Sequence, residues 1–199
     1  MAPEADEPVV VDAWTRAIAG QYGLADILDV FSGGVRYRVF LLQNSLQIDV
    51  SFWPQDDFRA TEPGFTLLFG TANVPTQPAP PNTDNLIGMG WLYALHARSA
   101  TARGKLWQAA IMIDDLRNQV IALKCARRGL EAWHGRQVDA LPAAELQNLE
   151  KTRVARLAVD ELEASRIRLT DHLLEEIARI DPQRATRLGP AFAVLRQPG

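Results

Sequence analysis

The stretch Val74-Pro-Thr-Gln-Pro-Ala-Pro-Pro-Asn82 carries four prolines in nine residues. Proline fixes φ and has no N–H to donate, so this stretch is neither helix nor central strand. It reads as a stiff linker. The pattern changes across it, which predicts an α/β part over residues 1–72, a linker over 73–86 and a helical bundle over 87–199.

Before the linker, Val9 to Tyr22 reads as a helix, with Trp14, Ile18 and Tyr22 repeating every four residues. Ile27–Phe31 is a short apolar run, and Ser32-Gly33-Gly34 is a turn. Arg36–Leu42 and Leu46–Phe52 read as two strands joined through Gln43-Asn44-Ser45. In the second strand Leu46, Ile48, Val50 and Phe52 share one face; Gln47, Asp49 and Ser51 share the other. Phe65–Phe69 is a further apolar run closed by Gly70.

After the linker, Leu86–Arg103 and Lys105–Arg128 read as helices separated or kinked at Gly104, with Gly129 capping the second. A long helical pattern opens at Leu141-Pro142 and runs to Ile180, which requires a break within it. Asp181-Pro182 ends it. A last helix lies within Arg184–Leu195, with Gly189-Pro190 expected to interrupt it. Four or five helices with short connections imply an antiparallel bundle.

The 199 residues are 47% hydrophobic and 23% charged, with a net charge of −3. This is ordinary globular composition, and its mild acidity does not suit a general nucleic-acid binder. The single cysteine, Cys125, sits in an apolar run and reads as a buried thiol. Met1–Glu7 lacks the basic and apolar regions of a signal peptide. No apolar stretch approaches the roughly 20 residues that span a bilayer, so no membrane partner and a cytoplasmic location are expected.

Asp49 is the most telling residue. A carboxylate in mid-strand is disfavoured by β propensity, but on a rigid strand it can hold Mg²⁺ beside substrate phosphates. A solvated polar face shared with Gln47 and Ser51 is the alternative.

The run Tyr37-Arg-Val-Phe-Leu-Leu-Gln-Asn-Ser-Leu-Gln-Ile-Asp-Val-Ser-Phe52, followed by Phe65-Thr-Leu-Leu-Phe-Gly70, resembles bacterial nucleotidyltransferase-domain proteins of the DNA polymerase β superfamily. These are relatives of the aminoglycoside and lincosamide nucleotidyltransferases. Gly90-Trp-Leu-Tyr-Ala-Leu-His-Ala-Arg-Ser99, Ala102-Arg-Gly104, Trp107-Gln-Ala109, Leu116-Arg117 and Leu141-Pro142 continue the resemblance in the same order. It covers about residues 9 to 180.

The resemblance implies an α+β fold, a truncated nucleotidyltransferase-like mixed sheet followed by an antiparallel helical bundle. It implies transfer of a nucleotidyl group from a nucleoside triphosphate, with Mg²⁺, to a small hydroxyl-bearing molecule. Asp49 matches the family's third metal-binding carboxylate, and so stands as the expected catalytic and metal residue. The family's Gly-Ser and paired Asp-x-Asp are not found before it. Asp26 and Asp29, three apart, cannot point the same way along a strand. Two-metal phosphoryl transfer needs several convergent carboxylates. The expectation is therefore either a truncated enzyme or an old scaffold put to another use.

Arg38, His96, Arg98, Arg103 and Lys105 are the expected substrate-binding cations. His96 and Arg103 are seven apart and share a helix face. Asp114 and Asp115 interrupt an apolar helix and are further catalytic candidates, since the family draws a general base for the substrate hydroxyl from its helical half. Trp91, Tyr93, Trp107 and Trp133 either line a ligand pocket or pack in the core. Absent strands would leave a sheet edge open, to be covered by Val9–Tyr22 or by a second copy in a homodimer. Three classes of function remain open. They are a nucleotidyltransferase, a repurposed metal-free enzyme for a small metabolite, and a non-catalytic binding or assembly module.

Overall fold

The computed structural model describes residues 7–60, 64–75 and 79–199. Part of the Pro-rich linker, residues 76–78, lies outside them. The chain forms two compact units, Met1–Pro78 and Ala79–Gly199.

The first unit opens with helix α1 (Glu7–Tyr22) and continues as strands β1 (Leu24–Ser32), β2 (Val35–Leu42) and β3 (Gln47–Phe52). The sheet runs β1-β2-β3 and both pairings are antiparallel. The mixed sheet expected from the sequence is therefore replaced by a meander among the described strands. The cause is local: each connection is a tight turn, whereas a parallel pair needs a long crossover. Gly33 and Gly34, at φ 57° and 81°, make the first turn. Two successive positive φ values match the right-handed twist of the strands they join. Phe65–Phe69 forms no strand, and Leu68 and Phe69 stand in solvent. The loop bearing them is closed at its base, where Asn73 N–H donates to the Phe58 carbonyl at 2.8 Å.

Helix α1 covers one sheet face. Ile18, Phe40 and Leu42 are buried together, with Leu24, Ile27, Ile48 and Val50 around them. Trp14 and Tyr22, expected on the inward face beside Ile18, are half exposed. The inward stripe is instead Val11, Thr15 and Ile18, because Arg38 on β2 reaches across to the Thr15 hydroxyl at 2.8 Å.

The second unit contains α2 (Thr83–Ala102), α3 (Leu106–Ala126), α4 (Ala143–Glu150), α5 (Val159–Ile180) and α6 (Pro182–Leu195). The Asn82 side chain caps α2 by accepting the Asn85 N–H at 3.0 Å. Gly104 (φ 67°) separates α2 from α3. Lys105 N–H returns to Ala100 and Gly104 N–H to Thr101, both at 2.9 Å, which satisfies the terminal carbonyls of α2. The predicted break between Leu141 and Ile180 falls between α4 and α5. Pro190 does not interrupt α6. The residue before a proline is kept out of the helix by its own Cβ, and here that residue is glycine, Gly189.

The core joins Ile87, Ala94, Ala97 and Ala100 of α2, Ile113, Leu116, Val120 and Leu123 of α3, and Leu162, Leu169, Leu173 and Ile177 of α5. Small residues on α2 allow close approach. A Cβ built on Gly90 would stand 2.9 Å from Leu173 Cδ2. Leu173 is fully buried, so its methyls can give way only by displacing packed neighbours. Gly90→Val is expected to lose about 1–3 kcal/mol by overpacking, read as a lower midpoint in urea with the slope unchanged. A rise in midpoint would show that α2 gains more from helix propensity than it loses in packing. None of the described helices is long and apolar enough to cross a membrane.

Candidate functional site

Asp49 projects from the sheet face opposite α1. It pairs with Val39, which pairs with Leu28. The alternation of the strands puts Val30, Tyr37 and Leu41 on the same side. The carboxylate is exposed and accepts a hydrogen bond from Gln47 Nε2 at 3.0 Å. Its face is thus polar along β3 and at Asp26 and Ser32 of β1, with Leu28, Val30, Val39 and Leu41 as an apolar stretch between them, not the evenly solvated surface that Gln47 and Ser51 suggest.

Among the described residues the other carboxylate on this face of the sheet is Asp26, two strands away opposite Leu41. Asp29 belongs to the other face, where Arg38 grips it through Nε at 2.7 Å and Nη2 at 2.6 Å. That hydrogen-bonded pairing holds the Asp29 carboxyl below its ordinary value, against an upward push from burial. Arg38, expected to bind substrate, has N–H groups committed to Asp29 and Thr15. Among the described residues, no three carboxylate, histidine or cysteine groups gather as metal ligands. Asp49 alone fits one Mg²⁺ whose remaining ligands are phosphate and water; it does not fit a two-metal pair.

The four cations expected on the helices separate into three positions. His96 and Arg103 lie on one exposed face of α2, as their spacing predicts. Arg103 Nη1 donates to the Ser99 hydroxyl. Lys105 is exposed and precedes α3, whose first turn holds no acidic residue and receives no side-chain cap. Arg98 turns toward α6 and donates to the Val194 carbonyl at 3.2 Å. No ion pair neutralises His96, Arg103 or Lys105 among the described residues. Trp107, on the first turn of α3 two residues after Lys105, is 74% exposed. Trp133 is also open to solvent, whereas Trp91 and Tyr93 pack against the core.

The two helical carboxylates take different roles. Asp114 is exposed and pairs with Arg117 three residues on. Arg117 also donates from Nε to the Thr152 hydroxyl at 3.0 Å and from Nη2 to the Thr152 carbonyl at 2.7 Å. Asp115 is half-buried and has no hydrogen-bond or ionic partner among the described residues. Burial, and then the neighbouring Asp114 charge, push the Asp115 carboxyl above its ordinary value. A depression of about 130 Å³ lies beside Asp114, between Ala110 and the segment 154–157.

The sequence reading missed one charged cluster. Glu176, fully buried on α5, accepts from Lys124 Nζ at 2.9 Å, Arg127 Nε at 2.9 Å and Arg179. Glu145 of α4 joins it through Arg127 and Lys124, and also pairs with Arg128. The available signal was Lys124 inside the apolar run Val120–Ala126, and Glu176 between Leu173 and Ile177. The cluster fastens three helices together; Glu176 is held through both carboxylate oxygens, whereas Glu145 Oε2 is buried without a hydrogen bond, 3.8 Å from Lys124 Nζ.

No model of a known protein family matches the chain, and no curated protein matches it in sequence.

Proposed function

We propose that the chain is a nucleotidyltransferase-like protein that binds a Mg²⁺–nucleoside triphosphate and a small hydroxyl-bearing molecule. The observation that carries this reading is that Arg103 and Lys105, exposed at the turn between α2 and α3, have no acidic partner among the described residues, in a chain whose net charge is −3. Cations without acidic partners attract a polyanion, and the exposed Trp107 ring offers a flat surface for a base. Asp115 adds the second half. A desolvated carboxyl raised toward neutral pH is suited to take a proton from a substrate hydroxyl. The ordered sequence blocks that resemble the polymerase β superfamily point to the same class.

Asp49 supplies a single carboxylate, so no two-metal step is assigned to it. That same fact favours a second reading, in which the chain holds a nucleotide without turning it over. The repurposed metal-free enzyme has no observation of its own in its favour.

Isothermal titration of the full chain with ATP and Mg²⁺ tests the proposal. Saturable binding is expected, weakened about tenfold or more in an Arg103→Ala/Lys105→Ala variant through loss of two phosphate-facing charges. A flat titration of the wild type would sink both readings. Binding without transfer to any hydroxyl compound, with Asp115→Asn indistinguishable from wild type, leaves only the second.

A further inference from the structure

The outer face of α3 carries an apolar stripe that ends in a depression. Trp107, Ala110, Ile111 and Asp114 recur at three- and four-residue spacing, so they share one side of the helix. Trp107 and Ile111 are 74% and 54% exposed. Two turns on from Trp107, about 10 Å along the axis, lies the depression between Ala110, Asp114 and the segment 154–157. At about 130 Å³ it is too small for a whole ligand of drug size. It suits one edge of a longer molecule lying along the helix. The stripe begins two residues after Lys105, which with Arg103 is exposed and has no acidic partner among the described residues.

Asp114 is the charged side chain of the depression with an oxygen still open. Arg117 donates to its Oδ1, and Oδ2 takes no hydrogen bond among the described residues. Arg117 is itself bonded to Thr152, so the carboxylate is oriented before any ligand arrives. In the opposite wall Glu161 already accepts the Ala155 N–H at 3.2 Å and the Arg156 N–H at 2.9 Å, and holds the Arg156 guanidinium at 2.7 Å. A carboxylate has about four lone-pair sites, so Asp114 can take two further donors side by side.

We propose that this face binds a guanine nucleotide, with the ring over Trp107 and Ile111, its N1–H and 2-amino group donating to Asp114, and its phosphates toward Arg103 and Lys105. The inference rests on the nucleotide reading above and adds the base. Among the common bases guanine alone sets two adjacent N–H donors on one edge, and parallel donors match a carboxylate as a fork. Adenine and cytosine each place a ring-nitrogen lone pair beside the amino group, which a carboxylate repels. Uracil has one N–H between two carbonyls. Asp114 is thus the residue that selects the base, while the cations and Trp107 serve any nucleotide.

Titrating the full chain with a series of Mg²⁺-triphosphates tests the selection. GTP is expected to bind about tenfold tighter than ITP, which lacks the 2-amino group, one charge-assisted hydrogen bond being worth about that factor. ATP is expected to fall at least as far behind. Asp114→Asn should weaken GTP about tenfold, leave ATP unchanged and strengthen XTP, whose 2-carbonyl accepts from an amide. That gain cannot come from unfolding. Trp107→Ala should weaken the whole series together, because stacking is indifferent to the edge of the base. Equal affinity for GTP and ATP, or a GTP preference that survives Asp114→Asn, overturns the proposal. Either result leaves the nucleotide reading standing as long as triphosphates bind. No binding of any triphosphate defeats that reading, and this inference with it.

Discussion

Replacing Glu176 by alanine is expected to destabilise the helical unit by about 3–5 kcal/mol, the usual cost of removing one partner from a buried ion pair. Glu176 is fully buried, and the Lys124 side chain it holds is only 4% exposed. Without the carboxylate, Lys124 loses its hydrogen-bonded partner and keeps only Glu145 Oε2, 3.8 Å away, against its buried charge. Arg127 and Arg179, partly open, can turn to water. The loss would be read as a lower denaturant midpoint followed by helix circular dichroism. Lys124→Met/Glu176→Leu should recover most of it, because apolar residues of similar volume replace buried pairs at little cost. A single variant that loses under about 1 kcal/mol would place the cluster among surface ion pairs of small worth.

The same cluster sets a dependence on pH. Burial pushes the Glu176 carboxyl up, but hydrogen bonds from Arg127 and Lys124 outweigh that and hold it below its ordinary value. A carboxyl depressed in the folded chain stabilises it above the unfolded value, roughly pH 4.3 for glutamate. That contribution fades as pH falls through the folded value. The wild type should therefore lose its advantage over Glu176→Ala on acidification below the unfolded value, while the gap stays constant near neutrality.

Arg166→Met is the second large effect. Arg166 is fully buried on α5. It donates to the Leu195 carbonyl, to the Gln197 carbonyl at 3.2 Å and to Glu163 through Nε at 3.1 Å. The last carbonyls of a helix have no partner within it, and here a side chain from another helix supplies one to α6. Methionine fills similar space and donates nothing. The expected loss is about 2–4 kcal/mol, combining missing charge-assisted hydrogen bonds with a stranded Glu163. It should be local. Amide exchange at the end of α6 is expected to rise well before that of α3, and unchanged protection there would contradict the role given to Arg166.

Which parts of this molecule are legible in its sequence follows from the range of the forces. Ser32-Gly33-Gly34, Asn82 and Gly104 act within a few residues, so hairpin, cap and break are written locally. Pro190 is misleading for the same reason in reverse: the local rule marks a stop, and the glycine before it removes one of the clashes that enforce that rule. Arg166 and Glu176 fall on the apolar stripe of α5, a visible anomaly, but their partners at Leu195 and Lys124 are 29 and 52 residues away. No local pattern names them. The candidate site divides the same way. The alternation in Leu46–Phe52 puts Asp49 opposite the packed face, yet its cross-strand neighbours, Val39 and Leu28, come from β2 and β1. The adjacent Asp114 and Asp115 are equivalent by composition. Only the grip of Arg117 on Asp114 leaves Asp115 as the unengaged carboxyl.

Thr152 carries one more consequence. Its hydroxyl donates to the Leu149 carbonyl at 2.6 Å and accepts from Arg117, while its own carbonyl takes bonds from Arg117 and Ser165. Next to it, Arg168 holds the Lys151 carbonyl at 2.9 Å. The turn leading out of α4 is thereby tied to α3 and α5 at once, just ahead of the wall facing Asp114. A guest settling there meets a surface whose ordering has already been completed by folding. Less freedom is then surrendered on arrival than a slack loop would demand, and tightness of fit would depend on the guest's own stiffness.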